Sequence, residues 1–208
     1  MTLNIAVLIS GRGSNLQAII DAVEAGGIKN TVIRVVVSNK KDAYGLERAR
    51  RHGIPAVFID DTPFKGRRRE YDEEVAKRLE EHGVTREDGL VLLAGYMRIL
   101  SPEFIDRFNG RIMNIHPSLL PAFPGLEAQK QALEYGVKIV GCTVHFVDVK
   151  VDAGPIILQA SVPVEDGDTV ETLSERILRE EHRIYPEAVR LFAEGRLRIE
   201  GRKVHILP

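Results

Sequence analysis

The chain has 208 residues, 44% hydrophobic and 28% charged, with a formal net charge of -1. That length suits one large domain or two small ones and buries a sizeable core. No stretch approaches the roughly 20 apolar residues of a membrane span, and the near-neutral balance leaves no electrostatic footprint for nucleic acid or an anionic membrane. Cys142 is the only cysteine, which excludes an internal disulfide and a cysteine-rich zinc site. Met1 to Ile9 offers neither a basic leader nor a cleavage-site pattern, so a cytoplasmic setting is expected.

Apolar β-branched runs alternate with amphipathic stretches along the first half. Strands are expected at Ile5 to Ile9, Val32 to Val37, Ala56 to Ile59, Leu90 to Ala94 and Arg111 to Ile115. Helices are expected between them at Leu16 to Ala25, Tyr44 to His52, Tyr71 to Glu81 and Pro102 to Phe108. Strands buried on both faces read as continuous apolar runs, so the pattern predicts a doubly wound, mostly parallel α/β sheet of Rossmann-like type. From Lys138 the texture changes. Ile139 to Val149 and Pro155 to Val164 read as antiparallel strands joined by Lys150 to Gly154. A long helix is expected from about Thr169 to Glu194, kinked or restarted at Pro186 and ended at Gly195. Arg196 to Leu207 reads as a small C-terminal hairpin turning at Glu200-Gly201. No repeat or linker splits the chain, so one continuous domain over 1–208 is expected, with an N-terminal half of about 1–110 and a C-terminal half of about 111–208.

Three stretches carry chemistry. The first, Ile9-Ser10-Gly11-Arg12-Gly13-Ser14-Asn15-Leu16, is a strand, a glycine turn and a helix start. Glycines permit close backbone approach, Ser14 or Asn15 can cap the helix, and the amides there favour an anion such as phosphate. It is not a sound dinucleotide fingerprint, because Leu16 holds the third glycine position and the second strand ends in Ser38-Asn39-Lys40 without a ribose-binding acid.

The second stretch is Asn114-Ile115-His116-Pro117, preceded by Ala94 to Pro102 at the end of another strand. Side chains alternate along a strand, so Asn114 and His116 share a face, and Pro117 biases the chain to stop there. An amide and an imidazole side by side can meet a developing oxyanion and move a proton. A flat apolar ligand could lie against Met97, Ile99 and Leu100. The third stretch, Asp148-Val149-Lys150-Val151-Asp152-Ala153-Gly154-Pro155, is a tight loop with two carboxylates. An Asp beside a histidine stabilises the imidazolium; Asp152 is the candidate, Asp148 the weaker one. Thr143 and His145 share a strand face, and either can line the same cleft, although a packed histidine is favoured. Cys142 reads as core, the Arg67-Arg68-Arg69 run as a solvated helix start, and Glu181-His182 as a charged pair of the kind that is usually solvated.

Taken together, Gly11 to Gln17, Met97 to Leu100, Asn114-Ile115-His116-Pro117-Ser118-Leu119-Leu120-Pro121 and Asp152-Ala153-Gly154-Pro155 resemble the phosphoribosylglycinamide formyltransferases, within the wider formyltetrahydrofolate-using superfamily. The likeness spans nearly the whole chain. It implies a catalytic trio of Asn114, His116 and Asp152, with Gly13, Ser14 and Asn15 on the ribonucleotide phosphate and Glu181 on the glycinamide. It further implies that Arg68, Met97, Arg98, Ile99, Leu100, Asn114, Asp148 and Asp152 contact the folate. Leu178 stands where some relatives present a polar group. By this resemblance the co-substrate is 10-formyltetrahydrofolate, no metal is needed, the partners are small molecules rather than nucleic acid or membrane, and the chain is a monomer or homodimer. The resemblance implies attack of the glycinamide amine on the formyl carbon, with the oxyanion met by Asn114 and protonated His116 while Asp152 helps carry the amine proton.

Alternative readings are a formyltetrahydrofolate hydrolase, a tRNA formyltransferase domain and a non-catalytic folate- or phosphate-binding module. The hydrolases usually carry an extra amino-terminal domain, and none fits before Ile5; no basic surplus supports an RNA partner.

Overall fold

Where Val, Ile and Leu run together the backbone is extended, and where they recur every third or fourth residue it is helical. The computed structural model describes residues 2–208. In chain order the elements are β1 (Leu3–Ile9), α1 (Ser14–Glu24), β2 (Thr31–Ser38), α2 (Tyr44–Arg51), β3 (Ala56–Phe58), α3 (Arg68–Glu81), β4 (Gly89–Leu93), α4 (Pro102–Arg107), β5 (Ile112–His116), α5 (Ala128–Tyr135), β6 (Ile139–Phe146), β7 (Ile156–Pro163), α6 (Val170–Ala193), β8 (Leu197–Glu200) and β9 (Lys203–Ile206). The chain divides into two compact units, Met1–Asn114 and Ile115–Pro208, with the boundary inside β5.

In the first unit the strand order is β3-β2-β1-β4-β5 and every pairing is parallel. Chain direction across the sheet reverses between β1 and β4, the switch point at whose carboxyl edge open α/β sheets bind ligands. Ile5 to Ile9 and Leu90 to Leu92 are wholly buried, which is why these central strands are continuous apolar runs rather than alternating ones.

In the second unit the order is β6-β7-β9-β8, with β6/β7 and β8/β9 antiparallel and β7/β9 parallel. The doubly wound parallel portion, the antiparallel portion and the C-terminal hairpin are thus as expected. Helix α6 packs on β6 and β7 and buries Leu173, Ile177, Ile184, Ala188 and Leu191 at helical spacing. Its start is fixed by a capping box in which Thr169 and Thr172 satisfy each other's backbone N–H groups.

Four local expectations are corrected. The long helix does not restart at Pro186: it is one helix from Val170 to Ala193, because Ile184, Tyr185, Ala188 and Val189 on both sides of the proline are buried and hold it together. Strand β6 ends at Phe146 instead of Val149, so residues 147–151 already belong to the turn. Helix α3 begins three residues before Tyr71, at Arg68. Helix α5, absent from the sequence reading, runs from Ala128 to Tyr135 and stops at Gly136 in the left-handed region at φ 83. Among the described residues no helix is long and apolar enough to cross a membrane.

Cys142 is buried on β6, as expected of a core thiol. Burial, with Glu181 and Glu180 nearby, pushes its pKa up to about 12, so the reactive thiolate is suppressed. Native protein at pH 8 is expected to resist iodoacetamide, with mass spectrometry finding full alkylation only after denaturant is added; rapid native labelling would contradict this packing.

Candidate active site

In the first unit the site begins where β1 runs out of apolar residues. Ser10 Oγ donates to Asn39 Oδ1 at 2.6 Å and accepts from the Met97 N–H at 2.8 Å. The Ser10 N–H also donates to Gly95 O. One serine therefore joins the glycine turn to the segment that follows β4. Gly13 sits at φ 70, and a Cβ there would lie 2.6 Å from the Gly45 Cα, so both conformation and space require glycine. Ser14 and Asn15 do not cap α1: Gly13 is the N-cap, with no side-chain cap bond, and Ser14 and Asn15 are the first helical residues. Their backbone N–H groups belong to the first turn, which has no intrahelical acceptors and favours an anion. A cleft of ≈ 400 Å³ flanks the turn, lined by Gly11, Arg12, Lys40, Lys41 and Tyr44 among others.

The segment after β4 exposes Met97 (64%) and Ile99 (51%) but buries Leu100 and Tyr96. Two large apolar side chains in water at the carboxyl edge of a sheet are what a flat apolar ligand would cover. Arg98 is turned elsewhere. Its Nη1 donates to Asp61 Oδ2 at 2.8 Å, and its guanidinium lies 4.0 Å from the centroid of the Tyr71 ring. Burial pushes the Asp61 carboxyl up, but hydrogen bonds from Asn39 and Arg98 outweigh it and hold the pKa below the ordinary value. The Arg98 side chain is thus a strut of the loop. Asp72 on α3 accepts from the Ser101 N–H and pins the other end of the segment. Arg68, the first residue of α3, is exposed, as the solvated-start reading expects.

Asn114 and His116 stand two apart on β5, and the strand stops at His116. In the second unit His116 Nε2 donates to the Phe123 carbonyl at 2.9 Å, and Nδ1 lies 3.5 Å from Asp152 Oδ2. A carbonyl only accepts, so Nε2 carries a hydrogen and Nδ1 is the nitrogen left to exchange a proton. His145 is arranged alike: Nδ1 donates to the Phe146 carbonyl at 2.8 Å and Nε2 faces Asp152 Oδ1 at 3.8 Å. Burial is the main cause that lowers the His145 pKa, with His116 adding to it against the raising effects of the Phe146 carbonyl and Asp152. His145 is the packed histidine expected from sequence, but it also forms one wall around the Asp152 carboxylate.

Asp152 is held in place by backbone. Its φ of 50 is left-handed, a region Asp tolerates better than most residues but rarely adopts without compensation. The Gly125 N–H donates to Oδ2 at 2.8 Å, and only glycine fits at position 154, where a Cβ would overlap the Phe146 carbonyl. Asp148 is exposed and its Oδ1 accepts from the Val149 N–H, a local turn bond. Val149 and Val151 in the same loop are exposed. Glu181, far from being solvated, is buried on α6. Sequence reasoning missed the Phe123 carbonyl and the Gly125 amide, because backbone groups leave no residue-type signal; the glycines at 125 and 154 were the only trace. Among the described residues no cluster of three or more His, Cys, Asp or Glu side chains could hold a metal.

Residues 3–189 match the Formyl transferase family. The chain is 50% identical to the phosphoribosylglycinamide formyltransferase of Escherichia coli strain K12, over 95% of this chain and 90% of that protein. It is likewise 50% identical to part of the human trifunctional purine biosynthetic protein adenosine-3, over 94% of this chain but 19% of that longer protein. Among solved structures, glycinamide ribonucleotide transformylase 1 from Symbiobacterium toebii superposes with a TM-score of 0.95 at 60% identity, covering 100% of this chain and 95% of that one.

The lowered His145 pKa has a consequence for stability. Below the ordinary value of 6.5 the unfolded chain binds a proton at this imidazole that the folded chain resists, so stability rises with pH through that window and is lost as pH falls. His145→Gln is expected to flatten the drop in urea midpoint between pH 7.5 and 5.5; an unchanged slope would contradict the assignment.

Proposed function

We propose that this chain, which belongs to the formyl transferase family, transfers the formyl group of 10-formyltetrahydrofolate to the amine of N1-(5-phosphoribosyl)glycinamide, giving formylglycinamide ribonucleotide and tetrahydrofolate in purine biosynthesis. The observation that carries the reading is the His116 and Asp152 pair at 3.5 Å, with the imidazole's other nitrogen already committed to a carbonyl. That arrangement suits a proton transfer coupled to a developing negative charge, which is what acyl transfer to an amine demands.

The folate supplies an activated one-carbon unit, and the protein supplies the rest. The exposed apolar pair Met97 and Ile99 fits the flat pterin chemistry. Asn114 offers an amide N–H to the developing oxyanion, and His116, at the end of the same strand, offers positive charge. Asp152 faces Nδ1, stabilises the imidazolium once that nitrogen takes a proton, and takes part in moving the amine proton toward the departing folate nitrogen. At 3.5 Å the pair is longer than a hydrogen bond, as apo catalytic contacts often are before substrate draws them in. Gly13, Ser14 and Asn15 hold the substrate phosphate at the first turn of α1, and Glu181 meets the glycinamide. Arg68 and Asp148 remain proposed folate contacts from the exposed ends of their segments. No metal ion is required, because an amide N–H and an imidazolium meet the charge that develops. A cytoplasmic setting and purely small-molecule partners belong to the same reading.

Tracing a labelled formyl group tests the assignment. Label is expected in formylglycinamide ribonucleotide; label released as formate in the presence of the amine would support the hydrolase instead, and no turnover would leave a binding module. Asp152→Asn is expected to fold normally and to lose about 10² or more in kcat, the scale of a general acid-base contribution, and turnover near that of the parent would remove Asp152 from the mechanism. For Ser14→Ala the ribonucleotide KM is expected to rise with a smaller change in kcat, as for binding shared by ground and transition states. A change confined to the folate KM would show that the two pockets are assigned the wrong way round.

A further inference from the structure

The segment that follows His116 is held by side chains that no step above uses. Thr143, wholly buried on β6, donates through Oγ1 to the Ser118 carbonyl at 2.7 Å and accepts from the Leu120 N–H at 3.1 Å. Directly opposite it in the β6/β7 register stands Gln159. Gln159 Nε2 donates to Thr143 Oγ1 at 2.9 Å and to the Leu120 carbonyl at 3.0 Å. The account closes: both amide hydrogens of Gln159 are placed, and the Thr143 hydroxyl makes one donated and two accepted bonds, its full capacity. Ser118 Oγ in turn donates to the Ala122 carbonyl.

These bonds fix residues 118–122, and the next carbonyl, that of Phe123, holds the His116 Nε2 hydrogen at 2.9 Å. The ring orientation of His116, and hence the presentation of Nδ1 to Asp152, therefore depends on where the Ser118 to Phe123 turn is anchored. Gln159 lies on a largely exposed position of β7, where a strand residue needs no polar end for packing. Its amide nonetheless reaches a buried hydroxyl and a turn carbonyl.

We infer that Gln159 is a positioning residue for the transfer, acting through Thr143 and the Ser118 to Phe123 turn to lock His116 as the Nε2–H tautomer. The inference rests on His116 being a catalytic residue, as proposed above. A turn released from Gln159 can slide its Phe123 carbonyl away from the ring, and a neutral imidazole without that acceptor populates both tautomers. The Nδ1–H form then presents a hydrogen instead of a lone pair to Asp152, while Gln159 is not among the residues proposed to hold either substrate.

The test pairs kinetics with 15N spectra of histidine-labelled protein, the His116 signal being assigned by its disappearance in His116→Gln. The parent protein is expected to show the Nε2–H pattern at His116. Gln159→Leu is expected to lower kcat about 10-fold or more, to leave both KM values within about twofold, and to replace that pattern with averaged ring-nitrogen shifts. Gln159→Glu, which keeps the size but loses the donors, is expected to do the same, so a folding defect in one variant does not decide the matter. An unchanged His116 pattern, or an unchanged kcat, in both variants overturns the inference. Parent-like turnover in His116→Gln overturns instead the reading on which it rests, and the spectra then still report whether Gln159 orders the ring.

Discussion

Asp152 is a carboxylate facing two imidazoles, and both of those rings have spent their other nitrogen on a backbone carbonyl. His116 gives Nε2–H to Phe123 and His145 gives Nδ1–H to Phe146. What remains toward Asp152 is therefore a ring lone pair on either side, at 3.5 and 3.8 Å, unless a proton is shared. A proton delivered to either ring would therefore be met by the same carboxylate. This is the geometry on which the proposed proton transfer rests.

The backbone around this cluster is shaped to permit it. Asp152 occupies the left-handed region, Gly154 lets the chain pass against the Phe146 carbonyl, and the Gly125 amide reaches back to the same carboxylate. Each of these is a local exception to regular structure, and such exceptions collect where function needs a side chain aimed rather than merely buried. In the first unit the same economy appears at Ser10, whose single hydroxyl ties the glycine turn to the residues after β4. There a cleft lined by Gly11, Arg12 and Lys40 among others flanks the glycine turn, and the left-handed Gly13 is the N-cap at which α1 begins.

Much of this was legible in the sequence, and the gaps have physical causes. Parallel strands such as Ile5 to Ile9 and Leu90 to Leu92 announce themselves because both faces are buried, and Asn114, His116 and Asp152 announce themselves because their residue types sit beside Pro117 and Gly154. Helix α5 was invisible since its eight residues bury only Ala128 and Ala132, too weak a stripe to stand out. Pro186 misled because a proline's lost hydrogen bond is a local cost, whereas α6 is held by burial along its whole length. Arg98 reads in sequence as a cation awaiting a ligand, yet its guanidinium is taken by Asp61 and Tyr71, partners 37 and 27 residues away that periodicity cannot supply. Glu181 looked solvated beside His182 and is buried, which only the packing of α6 reveals.

The most direct test of the central claim is a double-mutant cycle on kcat/KM with His116→Ala, Asp152→Asn and the two combined. If the imidazole and the carboxylate work as one proton-handling unit, the double variant is expected to be no worse than the more impaired single variant, to within about threefold. Losses that multiply would mean that His116 and Asp152 act independently, and would contradict the account.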